Sequence, residues 1–226
     1  MAARFALLLA AAMGVGAPGH TADSPASTRA SLTPPSIVAI GNNTFMVRDP
    51  LTLTFSDGAP AITVPAGFVT ELSSVPKDLR GSMAPAVLHD YLYWYQPCTQ
   101  EEADAVMYSA LAAVGASRST AAAAVQAIAK TGPAAFKKYQ ERRRSGEVRT
   151  FTAAYVQTVV QSPNFTASET LESALRKAQS SAGLVKDELT SPAVKLTCAR
   201  LLYQCEACRD SVARKKTPKA RVAKDG

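Results

Sequence analysis

The chain has 226 residues, room for one domain of ordinary size plus an appendage but tight for two full domains. Of these, 47% are apolar, so a real core can be buried, although many are Ala, which supplies close packing rather than large buried area. The formal net charge is +7; this fits solubility or attraction to polyanions, and charge alone does not argue for nucleic acid as a partner.

The first elements in the chain read as processing signals. Arg4 is the one charge before Asp23, and it is followed by the apolar run Phe5 to Met13 and by the helix breakers Gly14, Gly16, Pro18 and Gly19. That order is the pattern of a secretory signal peptide, residues 1–22, with a small-residue cleavage site ending at Ala22. The run is too short to span a bilayer, which takes about 20 apolar residues, so the chain does not read as an integral membrane protein. Removal of residues 1–22 takes away only Arg4 and leaves a net charge of +6. Residues 23–35, mostly Ser, Thr, Ala and Pro, read as a flexible leader that buries too little to repay ordering.

Four β-rich runs follow: Ser36 to Ile40, Thr44 to Arg48, Leu51 to Phe55 and Ala61 to Val64. The turn signals Gly41-Asn-Asn, Asp49-Pro50 and Ser56-Asp-Gly58 separate them, and a small antiparallel sheet is expected. After Pro76 the pattern becomes helical. Ala84 to Trp94 is expected as one helix, with Pro85 in its first turn. Thr99-Gln-Glu-Glu102 is a capping box, and Ala103, Val106, Met107, Ala110, Leu111 and Val114 follow at helical spacing until Gly115. A third helix is expected over Ser119 to Lys130, stopping at Gly132-Pro133, followed by a basic stretch that contains Lys137, Lys138, Arg142, Arg143 and Arg144.

A boundary is expected near Gly146. The motif domain thus covers 36–146, a helical extension covers 147–213, and the basic tail 214–226 reads as disordered. Cys98, Cys198, Cys205 and Cys208 allow three pairings. If Pro192 to Arg214 is one continuous helix, Cys198 lies about 10.5 Å of rise from Cys205, too far to be bridged. The remaining full set is Cys98 with Cys198 and Cys205 with Cys208. Zinc is the rival for the Cys205-x-x-Cys208 pair, without a second tight pair to accompany it.

With His20 in the signal segment, His89 is the one histidine of the mature chain, which excludes two-histidine zinc sites and multi-histidine cages. Successive helical residues project about 100° apart, so His89 and Asp90 cannot orient each other, whereas Tyr93 shares the face of His89. The carboxylate that orients His89 must come from Glu71 or Asp104. On a wheel with Ala103 at zero, the apolar stripe runs from about −60° to +80° and Asp104 falls at about 100°, at the rim of the buried face.

Three roles are open. Ser74 can be a nucleophile with His89 as base and Glu71 or Asp104 as orienter. His89, Glu71 and Asp90 or Asp104 can bind a divalent metal. His89 and Glu71 can also act as an acid and base pair. Against all three stands a structural role, in which His89 is a hydrogen-bonded core residue on an aromatic-rich helix, Glu71 or Asp104 caps a backbone end and Ser74 makes a turn bond.

Val64-Pro-Ala-Gly-Phe-Val-Thr-Glu-Leu-Ser-Ser-Val-Pro76, then Ala86-Val-Leu-His-Asp-Tyr-Leu-Tyr93 and Glu102-Ala-Asp104, resemble a family common in tailed phages and bacterial genomes, domain of unknown function 1353. The resemblance runs from about Phe45 to Phe136. Where the family usually shows Thr-Asp-x-Ala-Ser-Val-Pro, this chain has Glu71 and Ser73. The resemblance implies that Glu71, Ser74, Pro76, His89, Asp90, Tyr93 and Asp104 occupy motif positions, and it supplies no reaction. The expected molecule is an α+β protein with a small antiparallel sheet, a helical cluster and a helical C-terminal extension. Its expected place is outside the cytoplasm, as a hydrolase of a cell-wall polymer or a noncatalytic binding or assembly module. A cell-envelope polymer or an anionic surface, met through Lys137 to Arg144, is the expected partner.

Overall fold

The computed structural model describes residues 29–41, 43–71, 83–161, 173, 175–176, 178, 183–184 and 192–216. The expected signal peptide and most of the expected leader, with Ser73, Ser74, Pro76 and the end of the tail, lie outside the described residues. The fold is α+β. Strands β1 (Ala30–Leu32), β2 (Ser36–Gly41), β3 (Thr44–Asp49), β4 (Leu51–Phe55), β5 (Ile62–Val64) and β6 (Val69–Glu71) come first. Helices α1 (Met83–Tyr95), α2 (Gln100–Ala113), α3 (Arg118–Arg144), α4 (Ala153–Gln161), α5 (Pro192–Gln204) and α6 (Glu206–Lys216) follow.

The four β-rich runs form β2 to β5, but the strands divide into two antiparallel sheets, ordered β1-β4-β5 and β2-β3-β6, rather than one. The two added strands have three residues each. Part of the expected leader is β1, which pairs Ser31 with Thr54 and Leu32 with Leu53. The Thr33 hydroxyl then accepts from the Thr52 amide at 2.8 Å. This ladder, and the partial burial of Leu32 against the core, order a segment whose own composition is too polar to order itself.

Period-two alternation sends β3 side chains to opposite faces. Val47 joins the main core with Leu51, Leu53, Ile62, Val64 and the aromatic face of α1. Met46 joins a second cluster with Ile40, Val69, Phe151, Val156 and Val159, so the β2-β3-β6 sheet is covered on one side by α4. The chain past Gly146 therefore returns to the motif domain. The Val69 amide donates to the Arg149 carbonyl at 2.8 Å and the Phe151 amide to the Gly67 carbonyl at 2.9 Å.

Helix α2 starts as its sequence dictates. The Thr99 hydroxyl accepts from the Glu102 amide and the Glu102 carboxylate from the Thr99 amide, a reciprocal cap that contributes about 1 kcal/mol. Helix α3 departs from expectation, because it continues through Gly132-Pro133 for 27 residues. An interior proline costs about 3 kcal/mol. Packing offsets it: beyond Pro133, Phe136 meets Tyr93 edge-on at 5.3 Å and Tyr139 meets Trp94 at 5.7 Å. Gly132 is required at the crossing, since a Cβ there would lie 2.5 Å from the Tyr93 hydroxyl.

The C-terminal helix is also different, with a break at Cys205 that separates α5 from α6. Cys205 and Cys208 form a disulfide across that break. The expected partner bridge is absent: Cys98 and Cys198 are free, buried thiols, hydrogen-bonded to each other. Burial and that contact push the Cys98 thiol up, the contact being the larger cause.

Gly67 tests the docking of the returning chain on β6. Its φ is +87°, and an added Cβ would run into the Phe151 carbonyl, whereas Gly58, at φ +75°, has open space around it. Gly58→Ala is expected to cost about 1 kcal/mol from the backbone conformation, and Gly67→Ala about 1–3 kcal/mol more from overlap. Urea midpoints measure the difference, and equal losses would refute the close docking of Phe151.

Candidate functional site

Helix α1 presents two polar faces, and its adjacent His89 and Asp90 serve different ones. His89 and Tyr93, four residues apart, stack with ring centroids 4.0 Å apart on the side that meets α2. Both reach Asp104 in the first turns of α2: His89 Nε2 lies 2.9 Å from Oδ1, and the Tyr93 hydroxyl donates to the same oxygen at 2.7 Å. Gln100 Nε2 donates to Oδ2 at 3.0 Å, one helical turn before Asp104. The Asp104 side chain is 4% exposed and that of His89 13%.

An ionised carboxylate only accepts, so the neutral imidazole carries its proton on Nε2 and keeps a lone pair on Nδ1. The Tyr93 phenol is pushed well above its ordinary pKa by burial and then by the Asp104 charge, so it remains a donor to Asp104. Chemically the cluster is a carboxylate-oriented imidazole whose Nδ1 has no hydrogen-bond partner among the described residues, held in place by a phenol and an amide.

Asp90 faces the strands. The Thr70 hydroxyl donates to its Oδ2 at 2.6 Å, tying β6 to α1, and Arg149 Nη1 stands 3.8 Å from the same oxygen. The Arg149 side chain is fully buried. Its guanidinium lies between the Trp94 ring, 4.3 Å away, and the Tyr139 ring, 4.6 Å away, and Nε donates to Glu147 at 3.1 Å. Burial opposes its charge, but Asp90, Tyr139 and Glu147 outweigh burial and raise its pKa. Tyr139 is also held protonated, by burial first and by Asp90 next.

Of the residues singled out from sequence, His89, Tyr93 and Asp104 come together, and Asp90 joins a separate network. Glu71 is half-buried in β6 opposite Thr44, and no hydrogen bond or ion pair among the described residues joins it to His89. Ser74 lies outside the described residues. Among the described residues no three His, Cys, Asp or Glu side chains form a group able to hold a metal ion, so the set His89, Glu71 and Asp104 is not assembled. Both Asp104 oxygens are taken by protein donors.

Arg149 went unnoticed in the sequence; its only signal is its place in the β-prone run Val148-Arg-Thr-Phe-Thr152 just after a glycine. The basic stretch of α3 is also reassigned. Arg142 pairs with Glu147 at 2.5 Å, and Arg143 donates to the carbonyls of Trp94 and Tyr95 at the end of α1. Lys137 is within 3.9 Å of Glu141. Much of this charge is therefore neutralised or spent on a helix end.

Residues 45–128 match the family model described as a protein of unknown function, DUF1353. Over that segment the chain is similar to the DUF1353 family. No curated protein and no solved structure gives a match to the chain. The DUF1353 segment holds His89, Asp90, Tyr93, Gln100 and Asp104, while Tyr139, Glu147 and Arg149 come from chain beyond it. Among the described residues no helix is long and apolar enough to cross a membrane.

Two predictions follow from these networks. Asp90→Asn leaves Arg149 buried with less compensation and is expected to cost about 3 kcal/mol. Adding Arg149→Met should restore much of that loss, and strict additivity in a double-mutant cycle would refute the coupling. The second concerns alkali. Folding holds the Tyr93 proton more tightly than the unfolded chain, whose phenol titrates near 10.0, so its stabilisation is complete below that pH. It is lost progressively as the pH rises through the higher folded value. Thermal melts of the wild type should therefore fall above this point more steeply than those of Tyr93→Phe.

Proposed function

We propose that the chain is an exported, envelope-associated protein of phage-related ancestry whose DUF1353-like domain hydrolyses a cell-wall polymer, with His89 as general base. One observation carries this reading. Asp104 engages Nε2 of His89 at 2.9 Å, which leaves Nδ1 to take a proton while the carboxylate stabilises the imidazolium that forms. The partial exposure of His89 beside a nearly buried Asp104 supports an imidazole that works at the edge of a fixed support.

In the hydrolysis, a water gives its proton to Nδ1 as its oxygen bonds to the electrophilic carbon of a glycan or peptide link. The same proton then passes to the departing oxygen or nitrogen. Tyr93 and Gln100 hold Asp104 and are positioning residues. The export signal in residues 1–22 supports a compartment where such polymers are plentiful.

A second reading, a noncatalytic binding or assembly module, is favoured by the saturation of Asp104, whose three donors come from α1 and α2 alone. His89→Gln discriminates, because the Gln amide can still donate to Asp104 while supplying no base. Hydrolysis of purified peptidoglycan or of a panel of esters should fall by about a hundredfold or more, with the melting temperature nearly unchanged. A wild-type protein without activity, combined with a large loss of stability in His89→Ala, would instead establish the structural module.

A further inference from the structure

Charge is segregated along this chain. Residues 192–226 carry nine Lys and Arg against three Asp and Glu, a net +6, whereas residues 23–191 hold fifteen of each sign and sum to zero. The whole positive balance of the chain after Ala22 therefore belongs to α5, α6 and the tail. A segregation of this kind is an electrostatic footprint rather than a general solubility device.

The same segment displays apolar surface. On α5, Thr197, Cys198 and Leu201 are buried. The opposite side runs Pro192, Leu196, Ala199 and Tyr203, spacings of three and four that place them in one stripe, and all four are exposed. Leu196 is 70% and Tyr203 75% exposed, well beyond the other exposed large apolar side chains among the described residues, Val114 and Val160, at 38% and 39%. Lys195 is exposed beside Leu196, and the Arg209 guanidinium of α6 lies 5.5 Å from the Tyr203 ring centroid. The Cys205–Cys208 disulfide spans the junction that sets α6 against α5.

We infer that the outer face of α5 docks on the surface of an anionic phospholipid bilayer, to which the net positive charge of residues 192–226 adds electrostatic attraction. Apolar side chains flanked by cations are the composition of an interfacial helix, in which Leu and Tyr enter the headgroup boundary and Lys and Arg meet lipid phosphates. A soluble polyanion such as nucleic acid or an acidic glycan would satisfy the cations but leave Leu196 without a partner. The proposed seat of anionic-surface binding thus moves from Lys137 to Arg144, where Lys137, Arg142 and Arg143 are engaged within the fold, to the C-terminal helices. The inference does not depend on His89 as a base, and a His89→Gln background isolates it from hydrolysis.

The test is co-sedimentation of the full chain, in that background, with phosphatidylcholine vesicles that contain or lack phosphatidylglycerol. Binding is expected only with phosphatidylglycerol and should weaken as salt shortens the Debye length. Leu196→Ser with Tyr203→Ser should lower the association constant by about tenfold or more, and Lys215→Gln and Lys216→Gln by about fivefold each. Lys138→Gln with Arg144→Gln should leave it unchanged. Leu196, Tyr203, Lys138 and Arg144 are exposed, so their replacement keeps the fold intact, and melting temperatures verify this for every variant. Absence of vesicle binding, equal binding to neutral vesicles, or binding that survives the double serine variant would overturn the inference. So would a wild-type dimer in sedimentation equilibrium that the serine variant dissolves, since the stripe would then be a self-interface.

Discussion

A carboxylate buried as deeply as that of Asp104 is tolerated only if its acceptor positions are filled, because an ion removed from water without partners costs several kcal/mol. Three donors fill them here, and each constrains a different part of the fold. His89 and Tyr93 fix the rotation of α1, since a slip of one residue would swing both away by about 100°. Gln100 fixes the first turn of α2, which the Thr99 and Glu102 cap also holds. The Tyr93 hydroxyl leaves no room for a side chain at Gly132, which brings α3 into contact and carries it past Pro133. One acceptor thus sets the packing of three helices and the orientation of the one histidine after Ala22.

The adjacency of His89 and Asp90 is best understood as a division of labour. A helix turns neighbouring side chains to different sides, so His89 looks to α2 and Asp90 to β6. Thr70 and Arg149 hold Asp90 from the strand side, and Arg149 arrives from beyond the family segment. Its hydrogen-bonded backbone lies along Val69, so the later chain completes both a strand edge and a charge network of the motif domain. The family segment and the chain that follows it are parts of one core.

Elements whose cause is local were legible in the sequence. Strands β2 to β5, α1 and α2 follow from alternation, capping and helical spacing, and the wheel angle of Asp104 placed it where the neighbouring helix passes. What escaped depends on partners remote in sequence. Strands β1 and β6 have three residues each and exist through β4 and β3. Pro133 was a reasonable stop for α3, because the aromatic contacts that override it come from α1. Arg149 is an ordinary basic residue until Trp94, Tyr139, Asp90 and Glu147 surround it. The elimination of cysteine pairings reached the Cys205–Cys208 bridge although its premise of one continuous helix breaks at Cys205, and its other pair, Cys98 and Cys198, meets as free thiols.

That break explains how one helix can serve two neighbours. The inner side of α5 is committed to the motif domain: the Thr197 hydroxyl donates to the Pro60 carbonyl at 3.0 Å, and Arg200 pairs with Asp57 while its guanidinium lies 4.9 Å from the Phe55 ring centroid. Cys198 meets Cys98 in the same seam. With these contacts made, burial of Leu196 and Tyr203 contributes nothing to folding, and their exposure carries a cost in water. A folding requirement would have placed polar residues there. The stripe is therefore explained by an apolar partner outside the fold, and the concentration of positive charge in the same segment makes that partner anionic.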